Sequence, residues 1–151
     1  MAGAAHNRGN SRQDYQTPMT LIRAVEARFG KLSIDLAASP ENAKAEKFIT
    51  AEQDSFKTEW PTDGLCWLNP PFANIKPWAE KCRRTADKGG RIAFLVPASV
   101  GANWYRDFIH KRDLVLFLNG RVDFIPGEGF PKDCMVVMFG YPADFDCWTW
   151  K

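Results

Sequence analysis

Histidine is nearly absent, with two in the chain, and none of the four cysteines forms a CxxC pair. Zinc modules gather Cys and His at short, regular spacings, so no metal site is expected. Cys66, Cys82, Cys134 and Cys147 are expected instead as reduced thiols, mostly buried. No apolar run approaches the roughly 20 residues of a membrane helix. Residues 1–14 lack the apolar stretch of a signal peptide. Both absences point away from a membrane and toward the cytoplasm. No charge of one sign dominates: 20 Lys and Arg oppose 18 Asp and Glu, so composition neither demands nor excludes nucleic acid. Internal repeats and linkers are also missing, and no His, Cys or Ser nucleophile is evident.

What is present fits one domain over residues 15–151, preceded by a polar, flexible arm of residues 1–14 that carries Arg8 and Arg12. Thr17 and Pro18 predict a helix start, with Thr17 as cap and Pro18 at the first helical position. An apolar stripe through Ile22 and Val25 continues it to Gly30. Leu32–Leu36 predicts a strand ending in the carboxylate of Asp35. Ser39-Pro40 predicts a brief helix through Ala45, and residues 48–50 a short strand. Gly64–Leu68 predicts a buried strand that must stop at Asn69-Pro70-Pro71-Phe72, because two prolines cannot continue a central ladder. A helix follows over Pro77–Lys88, then strands over residues 91–97, 114–118 and 134–139, with a helix over 102–110. Strands alternating with helices, several of them apolar throughout, predict an α/β fold with helices on both faces. The short late connections make the sheet mixed. Ligands in such sheets gather at the carboxyl ends of the strands, where Asp35, Asn69 and Ser99 fall.

The Asn-Pro-Pro-Phe segment carries chemistry as well as a turn. An aromatic amino group is a poor nucleophile because its lone pair is delocalised into the ring, and attack on a methyl sulfonium requires it to pyramidalise. Two acceptors aimed at its two hydrogens favour that change. The Asn69 side-chain oxygen supplies one and the Pro70 carbonyl the other, with Pro71 stiffening the loop. Phe72 offers a face for stacking on a base, which must leave its duplex to arrive there.

The segment resembles the [Asn/Asp/Ser]-Pro-Pro-[Tyr/Phe] motif of amino-group methyltransferases. Together with Tyr15-Gln16-Thr17-Pro18, Ile34-Asp35-Leu36-Ala37-Ala38, Asn42-Ala43-Lys44, Asp54, Trp60, Leu95-Val96-Pro97 and Gly120–Phe124, it is similar to the phage-type DNA N6-adenine methyltransferases over nearly the whole chain. That resemblance implies a Rossmann-like methyltransferase fold, S-adenosylmethionine as cofactor, double-stranded DNA as partner, and action in a bacterial host cytoplasm. It implies that Gln16, Thr17 and Pro18 border the methionine end of the cofactor. Asp35, Leu36 and Ala37 would lie at the first cofactor loop, and Asp54 near the adenosine. Each has an ordinary use too, as helix cap, strand-end turn or solvated acid. The chain departs from the wider pattern in lacking a glycine-rich first loop and in its short stretch between Asp35 and Asn69, which predicts a sheet smaller than the usual seven strands.

DNA contacts are expected from Lys76, Ser99, Asn103, Arg106 and Arg121, with Asn74 a further candidate, since base and phosphate readers sit on loops. Arg121 would reach a phosphate or pair with Asp123, and residues 126–132 would act as a lid. Trp104 and Tyr105 belong either to the core or beside a flipped nucleotide. The basic cluster Lys81, Arg83, Arg84, Lys88 and Arg91 is a solvated helix face first and a phosphate site second. No segment is long enough for a recognition domain, so a monomer or weak homodimer is expected. Adenine in RNA and a protein glutamine present the same amide-like geometry, and a non-catalytic DNA-binding or decoy protein with this fold is the remaining alternative.

Overall fold

A computed structural model describes residues 16–151; the arm and Tyr15 lie outside the described residues. Helix α1 (Met19–Phe29) buries Leu21, Ile22 and Val25 along one side. It ends at Gly30, whose φ of 105° lies in the left-handed region that glycine tolerates and whose N–H donates to the Glu26 carbonyl. Strand β1 (Leu32–Asp35) pairs in parallel with β2 (Lys47–Phe48) on one side and with β3 (Leu65–Leu68) on the other. Helix α2 (Lys76–Asp87) leads to β4 (Arg91–Pro97), parallel to β3. Helix α3 (Asn103–Phe108) precedes β5 (Leu114–Asn119), and β6 (Cys134–Phe139) and β7 (Asp144–Thr149) complete the sheet.

The order is β2-β1-β3-β4-β6-β5-β7, with β6 running antiparallel between β4 and β5. The mixed α/β sheet is as predicted, but it has seven strands rather than fewer. β7 accounts for the difference. It pairs only with β5, and its side chains are mostly exposed, so its sequence carries no apolar run to announce it. The brief helix expected over 40–45 is a series of turns. Asparagine explains why: Asn42 Oδ1 takes the Ser39 N–H at 2.8 Å, a local bond that competes with helix.

Alternation along the strands divides the core in two. Cys66, Leu68, Phe94 and Val96 meet α2 through Ala79 and Cys82. Leu65, Trp67, Ala93 and Leu95 meet α1 through Leu21 and Val25. At the turn after β6, a Cβ on Gly140 would collide with the carbonyl oxygen of Gly90, so the two chain segments approach there as only glycine permits. The Gly140 N–H is taken by the buried Asp113, which also binds Arg83 at 2.6 Å. No helix among the described residues is long and apolar enough to cross a membrane.

Candidate active site

The chain leaves β1 toward β2 at one edge and returns to β3 on the opposite side of β1, so the strand order reverses between the parallel β1 and β3. Such a switch point leaves a crevice beyond the strand ends, because the connections depart to opposite sides. Here the crevice is a cleft of about 990 Å³. Asp35 lies opposite Trp67 in the ladder, and the Leu36 N–H closes it on the Trp67 carbonyl at 2.9 Å. Two residues beyond Trp67 stands Asn69.

The β1 side of the cleft is shaped by Asp35. Its carboxylate accepts the N–H of Ala37 (3.2 Å) on one oxygen and that of Lys44 (2.9 Å) on the other. This pulls the 36–44 turn back against the strand, so a carboxylate fixes curvature where a glycine-rich loop is absent. Burial pushes the Asp35 carboxyl up to about 6, although the two main-chain N–H bonds and the Lys44 charge oppose it. Burial also draws the Lys44 ammonium below its ordinary range. Desolvation thus outweighs attraction for both groups, and the main-chain hydrogen bonds hold the turn.

The β3 side is the Asn-Pro-Pro-Phe loop. Asn69 donates from Nδ2 to Thr17 Oγ1 at 3.0 Å. Its Oδ1 is buried and has no hydrogen-bond partner among the described residues. A buried acceptor left unpaired costs roughly 1–3 kcal/mol, which makes this oxygen the atom of the loop whose hydrogen-bonding capacity the described residues do not use. Phe72 packs edge-on against Phe124 and Phe130, with centroids 5.8 and 5.7 Å away. It separates the cleft from a smaller recess of about 330 Å³ lined by Lys76, Ser99, Trp104, Phe130 and Lys132.

Of the residues singled out from sequence, Gln16, Thr17, Asp35, Ala37, Asp54 and all of Asn69–Phe72 line the cleft. Pro18 does not: it is the N-cap of α1, one position earlier in the helix frame than expected, and Thr17 makes no capping bond. Leu36 is fully buried in the core, contributing only its main chain. Asp54 adopts a φ of 58°, tolerable for aspartate, and accepts the Phe56 N–H through Oδ1. Lys76 and Ser99 reach the smaller recess, whereas Asn103 and Arg106 lie outside it; Arg106 pairs with its neighbour Asp107 at 2.8 Å. Arg121 turns to the protein, donating to the Phe130 carbonyl at 3.2 Å and facing Asp133 rather than Asp123. The aromatic pair in α3 divides, with Tyr105 in the core and Trp104 on the recess.

The basic cluster is a partial correction. Lys81 Nζ donates to the carbonyls of Ser55 (2.7 Å), Phe56 (3.2 Å) and Thr58, and sits 4.8 Å over the Trp60 ring. It therefore clamps the segment that forms one cleft wall. Arg83 is nearly buried on Asp113. Neither is available to a phosphate.

Phe56 and Trp78 were not anticipated. Their rings lie 4.2 Å apart on the cleft wall. The available signal was an aromatic residue two positions after Asp54; that it is left 44% exposed emerges only from the fold. Trp78 resembled an ordinary helix-core residue. Among the described residues, no three His, Cys, Asp or Glu side chains gather to hold a metal ion.

A seven-stranded mixed sheet with one reversed strand, helices packed on both its faces and a cleft at its switch point is compatible with a Rossmann-like methyltransferase fold. The chain belongs to the DNA N-6-adenine-methyltransferase (Dam) family, which it matches over residues 4–133. It is 28% identical over 129 residues to the DNA N-6-adenine-methyltransferase of Escherichia phage T1, a match covering 76% of this chain and 54% of that protein. It is 26% identical over 117 residues to the protein of the same description in Haemophilus phage HP1 (strain HP1c1), covering 76% of this chain and 67% of the relative. The chain thus spans about half the length of the first relative and two thirds of the second.

Proposed function

We propose that this chain transfers a methyl group from S-adenosylmethionine to the N6 amino group of adenine in double-stranded DNA, as the names of its phage relatives suggest for them. The observation that carries the reading is the buried, unpartnered Oδ1 of Asn69 at the cleft. No described residue donates to the Pro70 carbonyl either, and in this reading it is the second acceptor for the amino group.

The cleft's chemistry suits the cofactor. Phe56 and Trp78 offer flat faces for a purine, and Glu52 and the second carboxylate oxygen of Asp54 offer acceptors for ribose hydroxyls. The turn held by Asp35 would support it from the β1 side, and Gln16 and Thr17 would border its amino-acid end. When bound, the cofactor supplies an electrophilic methyl group on a cationic sulfur. The protein's own part is alignment: Asn69 and Pro70 orient the amino group, Phe72 stacks against the base, and Pro71 restrains the loop so that little reorganisation is needed. The phage origin of the relatives supports a bacterial host cytoplasm as the setting of the reaction.

The test is transfer of labelled methyl from S-adenosylmethionine to unmethylated duplex DNA, with nucleoside analysis. N6-methyladenine is expected. Cofactor binding without DNA methylation would move the substrate to RNA or protein, and failure to bind cofactor would leave a non-catalytic fold.

Two further outcomes are expected. Phe72→Ala should weaken binding of DNA carrying a mismatched, easily extruded adenine by about 1–3 kcal/mol, the range for removing one stacking partner; an unchanged affinity would argue against stacking. Lys76 and Lys132 are exposed at the smaller recess and have no acidic partner within bonding distance among the described residues. If the DNA backbone passes there, replacing both with alanine should reduce the slope of log affinity against log salt by about 2, one for each phosphate that is no longer neutralised. A wild-type slope in that variant would place the backbone elsewhere.

A further inference from the structure

A threonine just before a helix ordinarily spends its hydroxyl on the free N–H groups of the first turn. Thr17 does not, because Pro18 occupies the cap and no side chain caps α1. Thr17 is nevertheless 3% exposed, and its only side-chain hydrogen bond among the described residues comes from Asn69 Nδ2, 52 positions away. The segment is anchored on both sides of it. The Gln16 N–H donates to the Phe124 carbonyl at 3.2 Å, and the Pro18 carbonyl takes the Leu21 and Ile22 N–H groups.

An asparagine amide has two ends of nearly equal shape and opposite polarity. Only one suits the reaction proposed above. With Nδ2 on Thr17, Oδ1 remains for the incoming amino group. Rotated by half a turn, the amide would present NH₂ to NH₂, donor against donor. We propose that Thr17 is a positioning residue: its hydroxyl, both donor and acceptor, does not by itself choose between the two ends, but by accepting Nδ2 it tethers the Asn69 side chain at the cleft and leaves Oδ1 over for the amino group being methylated. This inference rests on the methyltransferase reading of the site. It assigns Thr17 a task beyond bordering the cofactor, and it explains why a capping residue is withheld from its helix.

The test compares Thr17→Val, which keeps shape and removes the acceptor, with Thr17→Ser, which restores it. Thr17→Val should lower kcat about tenfold, the size of a single missing hydrogen bond, while both KM values stay within about twofold. Thr17→Ser should recover most of kcat. The Asn69 side-chain amide protons, assigned by their absence in Asn69→Ala, should exchange slowly with solvent in the wild type and in Thr17→Ser, and quickly in Thr17→Val. Thr17→Ala repeats the comparison if the valine variant fails to fold. Unchanged kcat in Thr17→Val, a loss confined to the KM for cofactor, or no rescue by serine overturns the inference. A wild-type protein that leaves DNA unmethylated overturns the proposed function instead, and amide exchange still decides whether Thr17 holds Asn69.

Discussion

Replacing Asn69 with alanine is expected to lower the rate of methyl transfer by about 10²–10³-fold and to leave the fold intact. The size follows from what is removed. Losing one preorganised partner at a reacting group costs about 2.7–4 kcal/mol of transition-state stabilisation. Asn69 Oδ1 meets that description, being buried and unpaired before any substrate arrives. The fold should tolerate the change because the side chain makes one hydrogen bond, to Thr17, and removal also relieves an unsatisfied buried oxygen. Single-turnover rates with saturating DNA and cofactor, together with a thermal melt, separate the two effects. A rate near wild type would sink the mechanism. A large fall in melting temperature would show that the site is also a structural joint.

The second large effect concerns pH and belongs to Asp35. Its carboxyl titrates near 6 in the folded protein against 3.8 in an unperturbed chain, chiefly because of burial. Between those values the native state retains a proton that the unfolded chain has released. Stability from this group is therefore complete below the unfolded value and is lost as pH rises through the folded one. At roughly 1.36 kcal/mol per unit, the shift amounts to about 3 kcal/mol. Asp35→Asn does not titrate. The difference in unfolding free energy between wild type and Asp35→Asn should move by that order between pH 4 and pH 6.5, with wild type gaining toward acid. Urea unfolding across the window measures it, and parallel curves would refute it. The active site should respond in the opposite direction. A protonated carboxyl makes one oxygen a donor and a much weaker acceptor, so the bond from either Ala37 or Lys44 weakens and the turn along the cleft loosens. Cofactor affinity is expected to weaken below about pH 6 while the stability of wild type relative to Asp35→Asn rises, a divergence that ordinary acid denaturation would not produce.

The core strands and all three helices were legible locally, because their signals are local. Leu65–Leu68 and Ile92–Pro97 are apolar throughout, since both faces of their sheet are covered. Pro70-Pro71 ends β3 because proline lacks the N–H a ladder needs. The placement of Asn69 was legible for the same reason: strand, turn and helix are contiguous in the chain. β7 was hidden because an edge strand with one neighbour and solvent on its faces needs no apolar pattern; pairing with β5, not composition, makes it a strand.

Several departures at the site come from contacts across long sequence distance. Lys81 resembles its basic neighbours until the fold sets it against the Ser55, Phe56 and Thr58 carbonyls, and Arg83 until Asp113 arrives from 30 residues away. Arg121 pairs with Asp133 rather than the nearer Asp123 because the loop after β5 folds back through the Phe130 N–H to the Val122 carbonyl. Phe56 and Trp78 meet only when the segment after β2 is laid beside α2. The sequence alone determined an α/β chain with a rigid Asn-Pro-Pro-Phe turn at the end of a buried strand. The tertiary structure decided which polar groups are consumed holding that turn and which remain free, because hydrogen-bond partners are assigned by proximity in space, and Thr17 and Asn69 become neighbours only when α1 packs against the sheet.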